Sequence, residues 1–303
     1  MTRKICILIL CLAAHLNLCA QLTYENLHVD YDSAWQFKNL KVIPIRWKPQ
    51  GSVPNPMLAE TITLSQALQQ GLAKVAERGT ASTENVHWLI IENLSRRNIF
   101  IPGGDIIAGG RQDRMITQDT IMLSSQAKMQ VPVMCVEEGR WSEKEKKFAY
   151  QKQANPNLRK VLDKSKNHNE LEKDKVKNNT YAYLARNQDK KFTALEKEYW
   201  DFFKEKFRNS DSIVTGIVCM SGDKVIGCDI FSATNLFYGQ LEPMLYGYID
   251  EAIIHGAEPT IPESKVRAYM DELLKDERSQ EQFIRQHGKA YKLNGKIVHI
   301  TTY

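Results

Sequence analysis

Leu64, Leu68, Leu72 and Val75 recur at helical spacing behind Thr63, and Thr63 with Gln66 forms the Thr-x-x-Gln signature of a capped helix start. This predicts a helix running toward Gly79. Upstream, residues 40–47 read as a strand edge broken by Pro44, and the proline-rich residues 53–56 as a loop. From Val86 the rhythm changes to short apolar runs at 86–91, 98–101, 114–123 and 128–136, separated by Asn, Ser, Gly and Asp. That is a meander of strands packed as a sandwich or a rolled sheet. Past Trp141 the chain turns polar and lysine-rich, and Asn155-Pro156-Asn157 interrupts an otherwise helical stretch. Phe192, Leu195, Tyr199, Phe202 and Phe203 then mark an amphipathic helix whose aromatic stripe belongs to the core. Residues 213–219 and 224–230 flank the turn Gly222-Asp223 as a hairpin. Met244, Leu245, Tyr248, Ile249, Ala252 and Ile253 make a buried helix face ending near Gly256, and a last helix spans 263–274. Asn294-Gly295, the strongest turn signal in the chain, closes a C-terminal hairpin. The fold class is α+β: a strand-rich centre, packed helices and C-terminal hairpins, without a tandem repeat.

The first twenty residues follow a different logic. Arg3 and Lys4 precede the apolar run 5–14, and the small residues Cys19 and Ala20 follow it. This order is that of a signal peptide cleaved at about Ala20, leaving a domain of residues 21–303 that is exported to a periplasmic or extracellular space. The apolar run falls short of the roughly 20 residues that span a bilayer, and no later segment approaches that length. Leu18 before Cys19 argues against lipidation, which needs a small residue there.

Charge is uneven. The chain carries a formal +5, and residues 144–191 alone hold 14 basic against 6 acidic side chains. This block reads as a solvated, partly helical insertion. Aromatics are not interleaved with its lysines before Tyr181 and Tyr183, and Glu170, Glu172 and Asp174 dilute it, so nucleic acid is not the favoured partner. Beyond the leader only Cys135, Cys219 and Cys228 remain, too few for a disulfide scaffold. Strand alternation across Gly222-Asp223 places Cys219 and Cys228 on one sheet face as diagonal neighbours, a poor geometry for a bridge, so two packed free thiols are expected.

Two glycine-rich polar segments concentrate the candidate chemistry. The first runs from Gly103-Gly104-Asp105 to Gly110-Arg111-Gln112-Asp113-Arg114, the second from Cys135 through Glu137, Glu138 and Arg140 to Trp141. Gly104 and Gly109 have the spacing of a P-loop, but Gly110-Arg111 replaces the required Lys and Ser or Thr. The histidines are scattered singly and no Cys-x-x-Cys occurs, so no metal site is expected and no cofactor is specified. His299 stands out because its strand carries Ile297, Thr301 and Tyr303 on one face, aimed into the fold.

Those segments, with residues 90–95, 131–136, 222–231 and 297–300, resemble the ARG and rhodanese-phosphatase-superfamily-associated domain family, Cys-Val-Glu-x-Gly-Arg-Trp being the most specific run. The resemblance implies a domain of uncharacterised activity associated with ADP-ribosylglycohydrolase and phosphatase-type proteins. Asp113 and Glu138 stand where the family pattern has Asn and Gln, which exchanges amide donors for acceptors. The leading expectation is a noncatalytic site in which Asp105, Arg111, Gln112, Arg114, Glu138, Arg140, Trp141 and His299 hold a small anionic or carbonyl-rich ligand. One alternative is a hydrolase using Cys135 as nucleophile or Glu137 as acid or base, linked to ADP-ribose or phosphate chemistry. Others are a set of arginine–carboxylate ties that merely fasten two loops, and a surface-interaction protein using the basic block. The oligomeric state is not encoded in any of these motifs.

Overall fold

The computed structural model describes residues 22–48, 56–79, 87–136, 146–165 and 189–303. The chain opens with β1 (Leu27–Val29), β2 (Trp35–Phe37) and β3 (Leu40–Trp47). β3 is a continuous interior strand and is not broken at Pro44: it pairs with β1 and β2 on one side and a later strand on the other. Pro44 is tolerated because its carbonyl, accepting from Asp30 N at 3.0 Å, faces the side where β1 has already ended. The missing N–H faces that side too, away from the continuing ladder.

After α1 (Pro56–Ala59) and β4 (Ile62–Thr63) comes α2 (Leu64–Gln69), with the Thr63–Gln66 capping box in place. The helix ends ten residues before Gly79, because Gly71 adopts φ +69°. Leu72 N bonds Ala67 O at 2.8 Å and Gly71 N bonds Leu68 O at 3.2 Å, a Schellman closure. Leu72 completes that closure instead of continuing the helix, and Val75 belongs to a strand, β5 (Ala73–Glu77).

The predicted strands are present as β6 (Trp88–Asn93), β7 (Ile99–Ile101), β8 (Asp105–Gly110), β9 (Arg114–Ile116), β10 (Thr120–Met122) and β11 (Lys128–Cys135), but they do not pair in chain order as a meander: β6 lies beside β11, and β7 pairs with β10 in a separate sheet. β8 occupies what reads in sequence as a glycine-rich loop. The lysine-rich block contributes β12 (Lys146–Gln153) and α3 (Pro156–Ser165), so the described part of the expected insertion is woven into the fold. Pro156 opens α3 and the Asn155 side chain caps Leu158 N at 2.8 Å. α4 (Lys190–Arg208) buries Tyr199, Phe203 and Phe207. Then follow the hairpin β13 (Val214–Ser221) and β14 (Lys224–Phe231), the mostly buried helix α5 (Thr234–Ile254), α6 (Glu263–Leu274), an unanticipated α7 (Glu277–His287), and the hairpin β15 (Gly288–Leu293) and β16 (Lys296–Thr302).

Among the described residues these strands form three sheets. The largest runs β1-β3-β13-β14-β16-β15, with β2 beside β3. One face packs on α4 and α5 through residues such as Phe203, Phe231 and Leu245, the other on α6 and α7 through Ile43, Ile230, Met270 and Phe283. A second sheet runs β12-β8-β9-β11-β6-β5 and curls around Leu89, Ile107, Ile116, Val131 and Phe148, so the rolled-sheet reading describes this part. A small third sheet, β10-β7-β4, carries Phe100 against Phe231 of the large sheet.

Two bulges in the large sheet decide which side chains meet. In β13–β14 the register slips between Cys219, which opposes Gly227, and Met220, which opposes Val225. Ile226 is the extra residue, and beyond it the faces of β14 exchange. Cys219 therefore joins the α5 side and Cys228 the α6 side, on opposite faces and not on one, and both thiols are free. Asp229 is turned toward α5 by the same slip. In β15–β16 the slip falls between Tyr291, opposite His299, and Lys292, opposite Ile297. Val298 is extra there, so Ile297 packs on the α6 side while His299 faces Phe231 and Phe100.

Candidate functional site

The curled sheet brings the two polar segments together at one end. Cys135 of β11 lies directly opposite Arg114 of β9, which in turn opposes Ile107 of β8. Paired residues of adjacent strands share a face, so this row points into the curl. Val136 N donates to Asp113 O at 3.1 Å, and Asp113 Oδ1 accepts from Gly109 N at 2.8 Å, which holds the β8–β9 turn against the end of β11. Glu77, from the far edge of the sheet, accepts from Arg111 N at 2.8 Å and stands 3.6 Å from the Arg114 guanidinium. Gln112 Oε1 lies 3.5 Å from Arg114 Nη1. Arg111 and Arg114 are buried, at 6% and 0% exposure, so both work inside the protein. Gly110 takes φ +53°, and a Cβ there would collide with Phe148 and Glu77; only glycine lets β5, β8 and β12 close this tightly.

Beside that closure, β5 and β12 border a cleft of about 660 Å³. Leu68, Val75, Phe148 and Tyr150 give it an apolar lining, and Lys74, Lys146 and Lys147 are its charged lining residues among those described. None of these lysines forms an ion pair among the described residues. Asp105 lies behind the cleft wall: the Tyr150 hydroxyl donates to its Oδ1 at 3.0 Å, as does Gln240 Nε2 of α5 at 3.0 Å. Complete burial drives the Asp105 carboxyl well above the ordinary range, with Asp119 adding to the rise and the Tyr150 and Gln240 bonds opposing it.

A second polar assembly lies where α3 meets the large sheet. Arg159 forks onto Asp229 with Nη1–Oδ1 at 2.9 Å and Nη2–Oδ2 at 3.0 Å, and Nη1 also reaches Thr301 at 3.1 Å. Tyr248 donates to Asp229 at 2.6 Å. His299 bridges two carboxylates, Nε2 to Asp229 at 3.0 Å and Nδ1 to Asp119 at 2.7 Å. Lys289 stands 3.3 Å from Asp119 and 3.5 Å from Asp163, which also accepts from the Tyr303 hydroxyl. Burial alone would raise both bridged carboxyls. At Asp229 the field of Arg159 and the His299 bond outweigh it, and at Asp119 that of Lys289 and His299, and both end far below the ordinary range. Burial would lower His299, but Asp119 and Asp229 raise it above its ordinary value. Two anionic acceptors, one on each ring nitrogen, call for a donor on both, so the ring is an imidazolium.

Of the residues expected from sequence to form a site, Arg111, Gln112, Arg114 and Cys135 converge with Glu77, and Asp105 stands behind the neighbouring cleft. His299 belongs to the second assembly. Glu137, Glu138, Arg140 and Trp141 lie outside the described residues. Arg159, Asp229, Asp119, Lys289 and Glu77 were not singled out in the sequence. Asp229 carried a signal nonetheless, as a lone carboxylate inside the apolar run 225–231, and Arg159 as a cation among Leu158, Val161 and Leu162. No group of three or more acidic, His or Cys side chains suited to a metal occurs among the described residues.

Set against known proteins, residues 28–303 match the profile of the ARG and Rhodanese-Phosphatase-superfamily-associated Protein domain. Among curated proteins and among solved structures there is no match.

Proposed function

The chain belongs to this family over nearly all of its described length, and we propose that it is an exported binding domain whose ligand is anionic and enters the cleft between β5 and β12. The observation that carries this reading is the lining of that cleft: among the described residues, three lysines and no acid around an apolar floor. A pocket of this size with an apolar floor and a few charges of one sign suits a ligand with a negative periphery. The buried Arg111, Arg114 and Glu77, with the half-buried Gln112, then serve as the frame that fixes the end of the cleft, and Asp105 as the support behind Tyr150. Ligand contact falls to Lys74, Lys146 and Lys147.

Thermal shift with pyrophosphate, citrate and polyglutamate tests the proposal. At least one anion is expected to raise Tm, in line with stabilisation by RT ln(1 + [L]/Kd), and the rise should vanish in Lys74→Gln/Lys147→Gln. Unchanged Tm with every anion would sink the reading. Export is part of the same proposal, supported by the charged, apolar and small-residue order of positions 3–20. Intact mass of the protein from its own cells is expected to fit a chain starting at Gln21; a mass that retains Met1 overturns it.

A second reading, thiol catalysis, draws support from one observation: Arg114 stands directly opposite Cys135. A neighbouring guanidinium favours a thiolate. Iodoacetamide consumption that is fast at neutral pH and slowed in Arg114→Lys is the outcome this reading requires.

A further inference from the structure

The walls of the lysine-rimmed cleft are themselves strand edges. Among the described residues β5 pairs only with β6 and β12 only with β8, so the six-stranded sheet ends at both strands, and its curl brings the two ends face to face. Their Cα atoms approach within 8 Å, yet among the described residues the two strands form no ladder with each other. Two strands that flank a third stand about 9.5 Å apart, twice the ordinary inter-strand spacing. A small parting of the edges therefore makes room for one more strand. The outward N–H and C=O groups along β5 and β12 would bond its backbone, while Val75, Phe148 and Tyr150 offer apolar surface to alternate side chains.

We propose that the anionic ligand is an extended polypeptide segment with acidic side chains, added as a strand between β5 and β12. The proposal rests on the anionic-cleft reading above and deepens it. Charge selects this occupant. Lysines along an exposed edge repel a second copy of the same edge, which protects a sheet from self-pairing. Lys74, Lys146 and Lys147 set that repulsion here, and the same charges complement a strand bearing Glu or Asp.

A short fluorescein-labelled peptide alternating valine with glutamate, followed by anisotropy, is the test. A second peptide with proline in place of alternate valines keeps the charge but removes backbone donors. The first is expected to bind, the second about tenfold more weakly, the equivalent of about 1.4 kcal/mol for lost backbone bonds. Lys74→Glu/Lys147→Glu, at exposed positions, should also bind the first peptide at least about tenfold more weakly while keeping the wild-type Tm. Amide deuterium exchange should slow at 73–77 and 146–150 when the first peptide is bound. Equal binding of both peptides without such slowing overturns strand addition and leaves the anionic cleft standing. Failure of both peptides, pyrophosphate and citrate to bind overturns the two together.

Discussion

Asp229 lies at the centre of a set of contacts that drawn-out apolar neighbours in sequence do not announce. Its two oxygens take both arms of Arg159, one ring nitrogen of His299 and the hydroxyl of Tyr248. Removing its charge leaves Arg159 buried without its counter-ion, a situation that costs about 3–5 kcal/mol. Asp229→Asn is accordingly expected to lower the urea midpoint by that equivalent, and Thr301→Val, which takes away a single bond from the Arg159 fork, by only about 1 kcal/mol. Equal losses in the two variants would show that the pair is not the main tie. The residue level also explains why His299 was legible and Arg159 was not. Strand alternation gives the direction of a side chain near a strand end, whereas the partner of a helix-borne arginine comes from a strand seventy residues later in the chain.

At the level of elements, local chemistry was read well and irregularity poorly. The Thr63–Gln66 box, the Asn294-Gly295 turn and the aromatic helix α4 all follow from rules that act within a few residues. The length of α2 was overestimated because Leu72 and Val75 continue its spacing. Gly71 in the left-handed region overrides that spacing, since chain reversal there satisfies two helix-end carbonyls at once. Nothing lies within 4 Å of a Cβ built at Gly71, so Gly71→Ala meets no clash and carries only the backbone cost. A loss of about 1–2 kcal/mol in chemical denaturation is expected, and an unchanged midpoint would contradict the role given to this glycine. The bulges at Ile226 and Val298 were equally invisible, because an extra residue in a ladder leaves the apolar count unchanged while exchanging the faces beyond it. Their effect is measurable. Cys135 is expected to alkylate first in the folded protein, and Cys219 and Cys228 only on unfolding, burial having raised both thiols. Cys135, Cys219 and Cys228 should all take up label before any reductant is added.

For the whole molecule the Asp119–His299–Asp229 chain is a cross-tie. Asp119 comes from the link between β9 and β10, His299 and Asp229 from the large sheet, and Arg159 and Asp163 from α3. Its titration therefore acts on global stability. His299 is raised, so its contribution is complete below its ordinary value of 6.5 and fades as pH climbs through the folded value. Asp119 and Asp229 are depressed, so theirs is complete above the ordinary 3.8 and fades as pH falls toward the folded values. Stability from this network is expected to plateau between those limits. In His299→Gln the alkaline decline should flatten and the acid limb persist, as read from urea midpoints across pH; an alkaline slope identical to wild type would remove His299 from the account. Architecture of this kind escapes sequence inspection because three non-adjacent elements must dock before their charges meet.

The extra residue at Ile226 has one more consequence, for how this chain tolerates insertion and deletion over evolutionary time. A strand that loses a single residue there regains regular alternation, and the two thiols return to a common face. The thiols would still be only diagonal neighbours there, a poor geometry for a bridge, but Asp229 would at the same moment be swung to the α6 face, away from Arg159. One codon thus separates a buried arginine that has its counter-ion from one that has lost it.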